Sequence, residues 1–262
     1  MADGGYTFSV FTKPWKMPVP ELGRHVSALG FDGVEFPVRP GYPVEPDTVE
    51  QLPQAAKQLA DFGIRICSVA GPTDERSIAA CAQAGVPVIR ICLNVDDAGY
   101  IATETRLLKE YEQLAPVLER YGVTLGIQNH VGNCVGSILG CRRLVERFDP
   151  KQFGIVWDPA HCALCGEEPQ IAADVAGSHL CMVNLKNAVW QRTNGPEAEV
   201  AQWSTYWTDG RNGLASWPRV ADVLKQRGYQ GVICLCAEYS DGNAVNRLTA
   251  GDLAFAKSLL VA

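Results

Sequence analysis

No apolar run in this chain approaches the roughly 20 residues that an α-helix needs to cross a bilayer. The opening MADGGYTFSV also lacks a basic stretch followed by an apolar core, so an unexported, cytoplasmic protein is expected. Positive charge is in short supply too: 23 Lys and Arg stand against 29 Asp and Glu, a formal charge of -6. Nucleic-acid binders need clustered cations to displace counterions from phosphates, so that class is set aside and a small polar molecule is the expected partner. Neither GxGxxG nor GxxxxGK[ST] follows the first strand-like run, which removes two common phosphate cradles.

The ten cysteines do not read as a disulfide framework. Cys67, Cys92, Cys181, Cys234 and Cys236 lie inside apolar strand-like runs, where a thiol behaves as a small hydrophobe, and a reducing compartment follows. The one CxxC, Cys162 to Cys165 beside His161, has no second pair at zinc-finger spacing, so neither structural zinc nor redox chemistry is expected there.

What the chain does contain is a repeated theme: a helical pattern, a Gly, a short β-branched run, then polar or Gly/Pro residues. It is visible in LGFDGVEFP, FGIRICSVA, AGVPVIRICL, YGVTLGIQNH, FGIVWDPAH and RGYQGVICLCAEY. Strands are expected near 6–11, 32–37, 64–70, 86–93, 123–129, 153–157, 179–186 and 231–238. Helical patterns lie between them, as from Ile101 to Gly122, where Leu107, Leu108, Tyr111, Leu114 and Leu118 share a face. Strands apolar on both faces that alternate with helices imply parallel pairing, in a closed barrel or an open doubly wound sheet. Polar residues collect at many strand ends instead of one switch point, which favours a single-domain α/β fold, a (β/α)₈ TIM barrel over 1–262.

One connection, about 187–216, is unusually long and holds Trp190, Trp203, Tyr206 and Trp207, with Trp217 just beyond. It reads as an ordered lid whose aromatic faces stack on a sugar, or as packing on the barrel rim or at a subunit contact, which would make a homo-oligomer.

Barrel chemistry gathers at strand C-termini, and the residues there are Glu35, Arg90, Gln128, Asn129, His130, Asp158, His161, Asn184, Lys186, Asn187, Glu238 and Tyr239. Asp158 and Glu238 end apolar strands, where a carboxylate needs compensation. A divalent metal would supply it. With amide oxygens from Gln128 and Asn184 the set suits Mg²⁺ or Mn²⁺ better than Zn²⁺; the alternative is neutralisation by Lys186, Arg90 or backbone N–H groups. His161 and His130 could serve as ligand, proton shuttle, sugar contact or structural histidine, whereas His25 and His179 read as structural.

These residues resemble the sugar phosphate isomerase/epimerase family with the xylose isomerase-like barrel. The marks are GFDGVEF around Glu35, GVTLGIQNH, the DxxH of WDPAH, HLCMVNLKN and CLCAEYS. The resemblance implies one metal ion held by Glu, Asp, His and Glu from four strand ends, positions that fall on Gln128, Asp158, Asn184 and Glu238. Gln128 has lost a charge and Asn184 offers a weak amide oxygen, so Mn²⁺ or Mg²⁺ would be held weakly. The resemblance also implies a proton moved through an enediolate by two glutamates, of which only Glu238 survives, leaving His130 or His161 for the opposite face.

The leading expectation is a sugar isomerase or epimerase in which Glu238 takes the proton α to a carbonyl. Glu35, Arg90, Gln128, Lys186, Trp203, Trp207 and Tyr239 would bind the substrate. A lyase or dehydratase on a keto-sugar or inosose shares the first step, and a sugar-binding subunit with a decayed metal site is the reading from another class. The barrel also resembles metal-dependent DNA-repair endonucleases, but four histidines and a negative charge argue against that activity.

Overall fold

The computed structural model describes residues 5–261. Eight parallel strands close on themselves: β1 (Thr7–Phe11), β2 (Gly33–Pro37), β3 (Arg65–Ala70), β4 (Val88–Cys92), β5 (Thr124–Gln128), β6 (Phe153–Trp157), β7 (Leu180–Leu185) and, after the hairpin β8 (Asn187–Arg192) and β9 (Trp203–Thr208), β10 (Val232–Leu235). Closure rests on β1 against β10, with Thr7 beside Val232 and Val10 beside Leu235. That pairing decides barrel over open sheet.

The helices are α1 (Val19–Leu29), α2 (Leu52–Ala60), α3 (Glu75–Gln83), α4 (Tyr100–Tyr121), α5 (Ile138–Val145), α6 (Pro159–Leu164), α7 (Pro169–Ala176), α8 (Trp217–Gln226) and α9 (Val245–Leu260). Their ends follow local chemistry. Asp74 and Ser137 cap α3 and α5 by accepting the N–H groups of Ser77 and Gly140. Gly122, at φ 64°, ends α4 in the left-handed region that its missing Cβ permits. The expected face of α4 forms, with Leu107, Tyr111 and Leu118 buried.

Two expectations need amending. The last strand stops at Leu235, three residues short of the expected 238, because Ala237 takes φ 48° and turns the chain out of the sheet. The long connection is not a loop but the antiparallel hairpin β8–β9, paired from Asn187 with Thr208 out to Arg192 with Trp203. Among the described residues no helix is long and apolar enough to cross a membrane.

Candidate active site

Asp158 directly follows β6 and is fixed before it does any chemistry. Asn129, at the end of β5, clamps its peptide: Asp158 N–H donates to Asn129 Oδ1 at 2.8 Å, and Asn129 Nδ2 donates to the Asp158 carbonyl at 3.0 Å. Asp158 Oδ1 then caps α6 by accepting from the N–H groups of Ala160 and His161. Oδ2 is left facing the mouth, where it accepts from Gln128 Nε2 at 2.8 Å and lies 3.8 Å from Lys186 Nζ. Complete burial pushes this carboxyl up to about 6, against the pull of Lys186 and the N–H donors.

Glu238 follows β10, which is separated from β6 only by β7. The left-handed Ala237 before it is the one non-glycine residue with positive φ among the described residues, a conformation that costs of order 1–3 kcal/mol and clusters at functional sites. Glu238 Oε1 pairs with Lys13 and Oε2 accepts from Lys186 Nζ at 3.1 Å. Burial alone would raise its pKa, but Lys186 and Lys13 outweigh it and hold the carboxyl down at about 2. The two strand-end carboxylates thus converge on one ammonium. Lys186 is only 4% exposed, and the face of Trp207 lies 4.0 Å from its Nζ. Burial pulls the lysine's pKa down, yet Asp158, Cys236 and Glu238 together lift it above the ordinary value.

Two histidines line the same wall with rings 4.0 Å apart. His161 Nδ1 accepts from Val131 N–H at 3.2 Å, which puts the proton on Nε2, 3.6 Å from Asp158 Oδ2. His130 Nδ1 lies 2.7 Å from the Val131 carbonyl and must donate to it, so Nε2 keeps a free lone pair. Burial holds both pKa values down, with Lys186 adding to the shift, and both rings are neutral at pH 7. Asn184 lies fully buried on β7, two residues before Lys186, and neither of its amide atoms has a partner. A buried amide in that state is a docking point for a polar ligand.

Other expected residues lie elsewhere. Glu35 is fully buried and accepts from Arg90 through bonds of 3.0 and 2.6 Å and from Ser68 Oγ at 3.1 Å. Arg90 stacks over Phe11 and edges a cleft with Arg39 and Cys92. Tyr239 donates to Asp252 Oδ2 at 2.8 Å, on the α9 side. Trp203 is at the far end of the hairpin, 59% exposed, so the hairpin brings Trp207 and not Trp203 against His161. Trp190 packs on the rim, its Nε1 donating to the Leu164 carbonyl. His25 meets Trp15 edge to face, and His179 hydrogen-bonds the Phe148 carbonyl and Arg142.

The donor set does not suit a divalent metal. Gln128 turns its NH₂, not its oxygen, toward Asp158, and among the described residues no group of three or more His, Cys, Asp or Glu is arranged to hold an ion. Lys13 was not among the expected site residues. Its only signal was its place just beyond β1, where Thr12-Lys13-Pro14 offers no carboxylate, amide or histidine to draw attention.

A family model described as xylose isomerase-like TIM barrel matches residues 24–259. An inosose dehydratase of Mesomycoplasma hyopneumoniae is 22% identical over 143 residues, 50% of this chain and 48% of that protein. The chain thus spans about half the length of the curated relatives it matches. Among solved structures, D-psicose 3-epimerase of Clostridium cellulolyticum H10 with D-tagatose superposes with TM-score 0.73 at 14% identity, over 97% of this chain and 99% of that one. The 3-keto-D-glucoside 4-epimerase of E. coli gives 0.73 at 14% over the same shares. The probable 3-DHS dehydratase of Bacillus anthracis gives 0.71 at 12%, over 95% and 97%. At such identities the structural likeness speaks to the fold. With most of its length inside the family model, the chain belongs to the xylose isomerase-like TIM barrel family.

Proposed function

We propose that this site moves a proton on the carbon next to the carbonyl of a ketose-like sugar or sugar derivative, with Glu238 as the proton acceptor. The observation that carries the reading is the convergence of Asp158 and Glu238, from the two strands that flank β7, on Lys186, with the unpaired amide of Asn184 on β7 itself. Asn184 and the His130 Nε2 lone pair would hold substrate hydroxyls, Asp158 would fix the position of Lys186, and Trp207 would keep water off the reacting carbon. Taking the proton gives an enediolate. Return of the proton to the former carbonyl carbon completes an isomerisation, delivery of a proton to the original carbon from the opposite face, which would fall to His161 or His130, completes an epimerisation, and loss of a β-hydroxyl completes a dehydration. The dehydratases among the similar proteins favour keeping the second outcome beside the first.

Glu35 and Tyr239 are engaged in protein contacts, so substrate binding in this proposal falls to Asn184, His130, His161, Lys186, Gln128 and Trp207, with Arg90 at the adjoining cleft. An Mn²⁺ or Mg²⁺ ion is what the family resemblance implies, and no step is assigned to it here because the donors do not fit. Ten thiols without a disulfide accord with a reducing, cytoplasmic setting. Self-association through the exposed Trp203 is part of the same proposal and is read by sedimentation of Trp203→Glu against the parent.

The test is proton exchange in D₂O, followed by NMR, against ketoses, keto-sugars and inososes. Glu238→Gln should lower deuterium uptake about 10²–10⁴-fold with the circular dichroism unchanged. Undiminished exchange removes Glu238 from the role; binding without exchange across the panel favours a sugar-binding protein. Product analysis separates isomer from dehydrated product.

A further inference from the structure

We infer that Lys186 is the resident cation of this site, standing where the family resemblance places a divalent metal, and that its ammonium is what polarises the substrate carbonyl. The second half rests on the proposed function; the first stands on the geometry alone.

Lys186 Nζ lies 3.1 Å from Glu238 Oε2 and 3.8 Å from Asp158 Oδ2, the two carboxylates that remain of the four-ligand set. It is a core group, 4% exposed, capped by the Trp207 face. The surrounding donors have been turned to suit it. Asp158 spends Oδ1 on two backbone N–H groups and Oδ2 on Gln128 Nε2 and the lysine. Gln128 would have to rotate its amide to offer an oxygen to an ion, and would then aim lone pairs at a carboxylate. Both oxygens of Glu238 already have an ammonium partner, Lys13 on one and Lys186 on the other. Two carboxylates face two ammonium groups, and Arg90 is balanced by Glu35. A divalent ion added here would find no uncompensated negative charge and would meet Lys186 at close range, in surroundings that screen repulsion poorly.

The chemistry follows with charge in balance. Lys186 has three N–H donors; one goes to Glu238, and a carbonyl oxygen entering beside Asn184 can accept another. That contact draws the ammonium partly away from Glu238, so the carboxylate becomes more basic as the substrate seats. The α-proton passes to Glu238, the C–H pair forms the C=C bond of the enediolate, and the carbonyl pair becomes an oxyanion facing Lys186. Glu238 then gives the proton to the former carbonyl carbon while the hydroxyl proton of the neighbouring carbon passes to the oxyanion and leaves a new carbonyl there, so no oxidant, reductant or metal takes part.

Manganese binding and proton exchange test the two halves separately. In an Mn²⁺ titration followed by EPR, the purified protein should leave the free six-line spectrum undiminished into the millimolar range. The triple variant Gln128→Glu, Asn184→His, Lys186→Ala should bind Mn²⁺ at least tenfold more tightly. Stoichiometric Mn²⁺ on the unmodified protein would overturn the inference. With a substrate found by the D₂O screen, exchange should survive EDTA, fall at least 100-fold in Lys186→Met and recover in part in Lys186→Arg. Exchange abolished by EDTA and restored by Mn²⁺ would overturn it as well. If no substrate exchanges, the manganese titration still decides the first half, and the failure belongs to the proposed function.

Discussion

At the scale of single residues, Glu35 and Arg90 show what a sequence leaves open. Each reads in the sequence as a strand-end residue, yet both stand in mid-strand, 55 positions apart, and meet through two buried hydrogen bonds. No periodicity reveals such a partner, because it depends on the through-space register of β2 and β4 across β3. The same holds for Lys13 and Glu238, 225 positions apart. Breaking a buried pair from one side leaves an uncompensated charge, so Arg90→Met should cost about 3–5 kcal/mol in urea unfolding. Glu35→Leu with Arg90→Met should recover most of that loss, and a double variant no more stable than the single one would show that Arg90 acts by packing on Phe11.

Asp252 offers a pH test at the same scale. Burial raises its carboxyl from 3.8 to about 6, although Gly210 N–H and Tyr239 Oη both donate to it. The native state therefore binds this proton more tightly than the unfolded chain does. Its contribution to stability is fully present below about pH 4, declines as pH rises, and is gone above about pH 6; the total is of order 3 kcal/mol. Asp252→Asn has no such proton to lose, so its stability relative to the parent should grow between pH 4 and pH 6.5. Parallel unfolding curves at the two pH values would refute the assignment.

At the scale of elements, the barrel strands were legible because six of them repeat one theme, a short apolar run with a glycine before or within it, a pattern that survives without knowledge of partners. The hairpin β8–β9 was not. Its strands are largely exposed on both faces, so they carry no alternation, and their only signal was aromatic content. What holds the arm down is polar. Asn187 ties its base through four hydrogen bonds, donating to the Gly210 and Ala215 carbonyls and accepting from Ala188 and Ala215 N–H. Ser240 pins the Trp207 peptide from both sides. Asn187→Ala would orphan buried groups at about 1–3 kcal/mol each, so a loss of at least 2 kcal/mol is expected, together with faster proteolysis between 193 and 202. Ser240→Ala should speed that cleavage with little change in global stability. Equal cleavage rates in all three proteins would mean that the arm is held by its aromatic contacts alone.

For the molecule as a whole, the choice of barrel over open sheet was drawn from the spread of polar residues around the strand ends, and the β1–β10 seam bears that spread out. Which of those residues face one another was beyond the sequence, since it is set by strand stagger. Closure has a mechanical consequence: a sheet with no free edge offers no strand that can peel away alone. The thiols can report it. Cys165 is exposed, while Cys67 lies in β3 and Cys234 in β10, both buried and on different arcs of the barrel. Under native conditions Cys165 should react with a thiol reagent within the mixing time of a manual assay. Cys67 and Cys234 should react only with global unfolding, and at one shared rate that rises with urea along the unfolding limb. Mass spectrometry of the labelled peptides reads each site. If Cys234 is labelled well before Cys67, the seam opens while the rest of the sheet stays closed, and the barrel is two cooperative units instead of one.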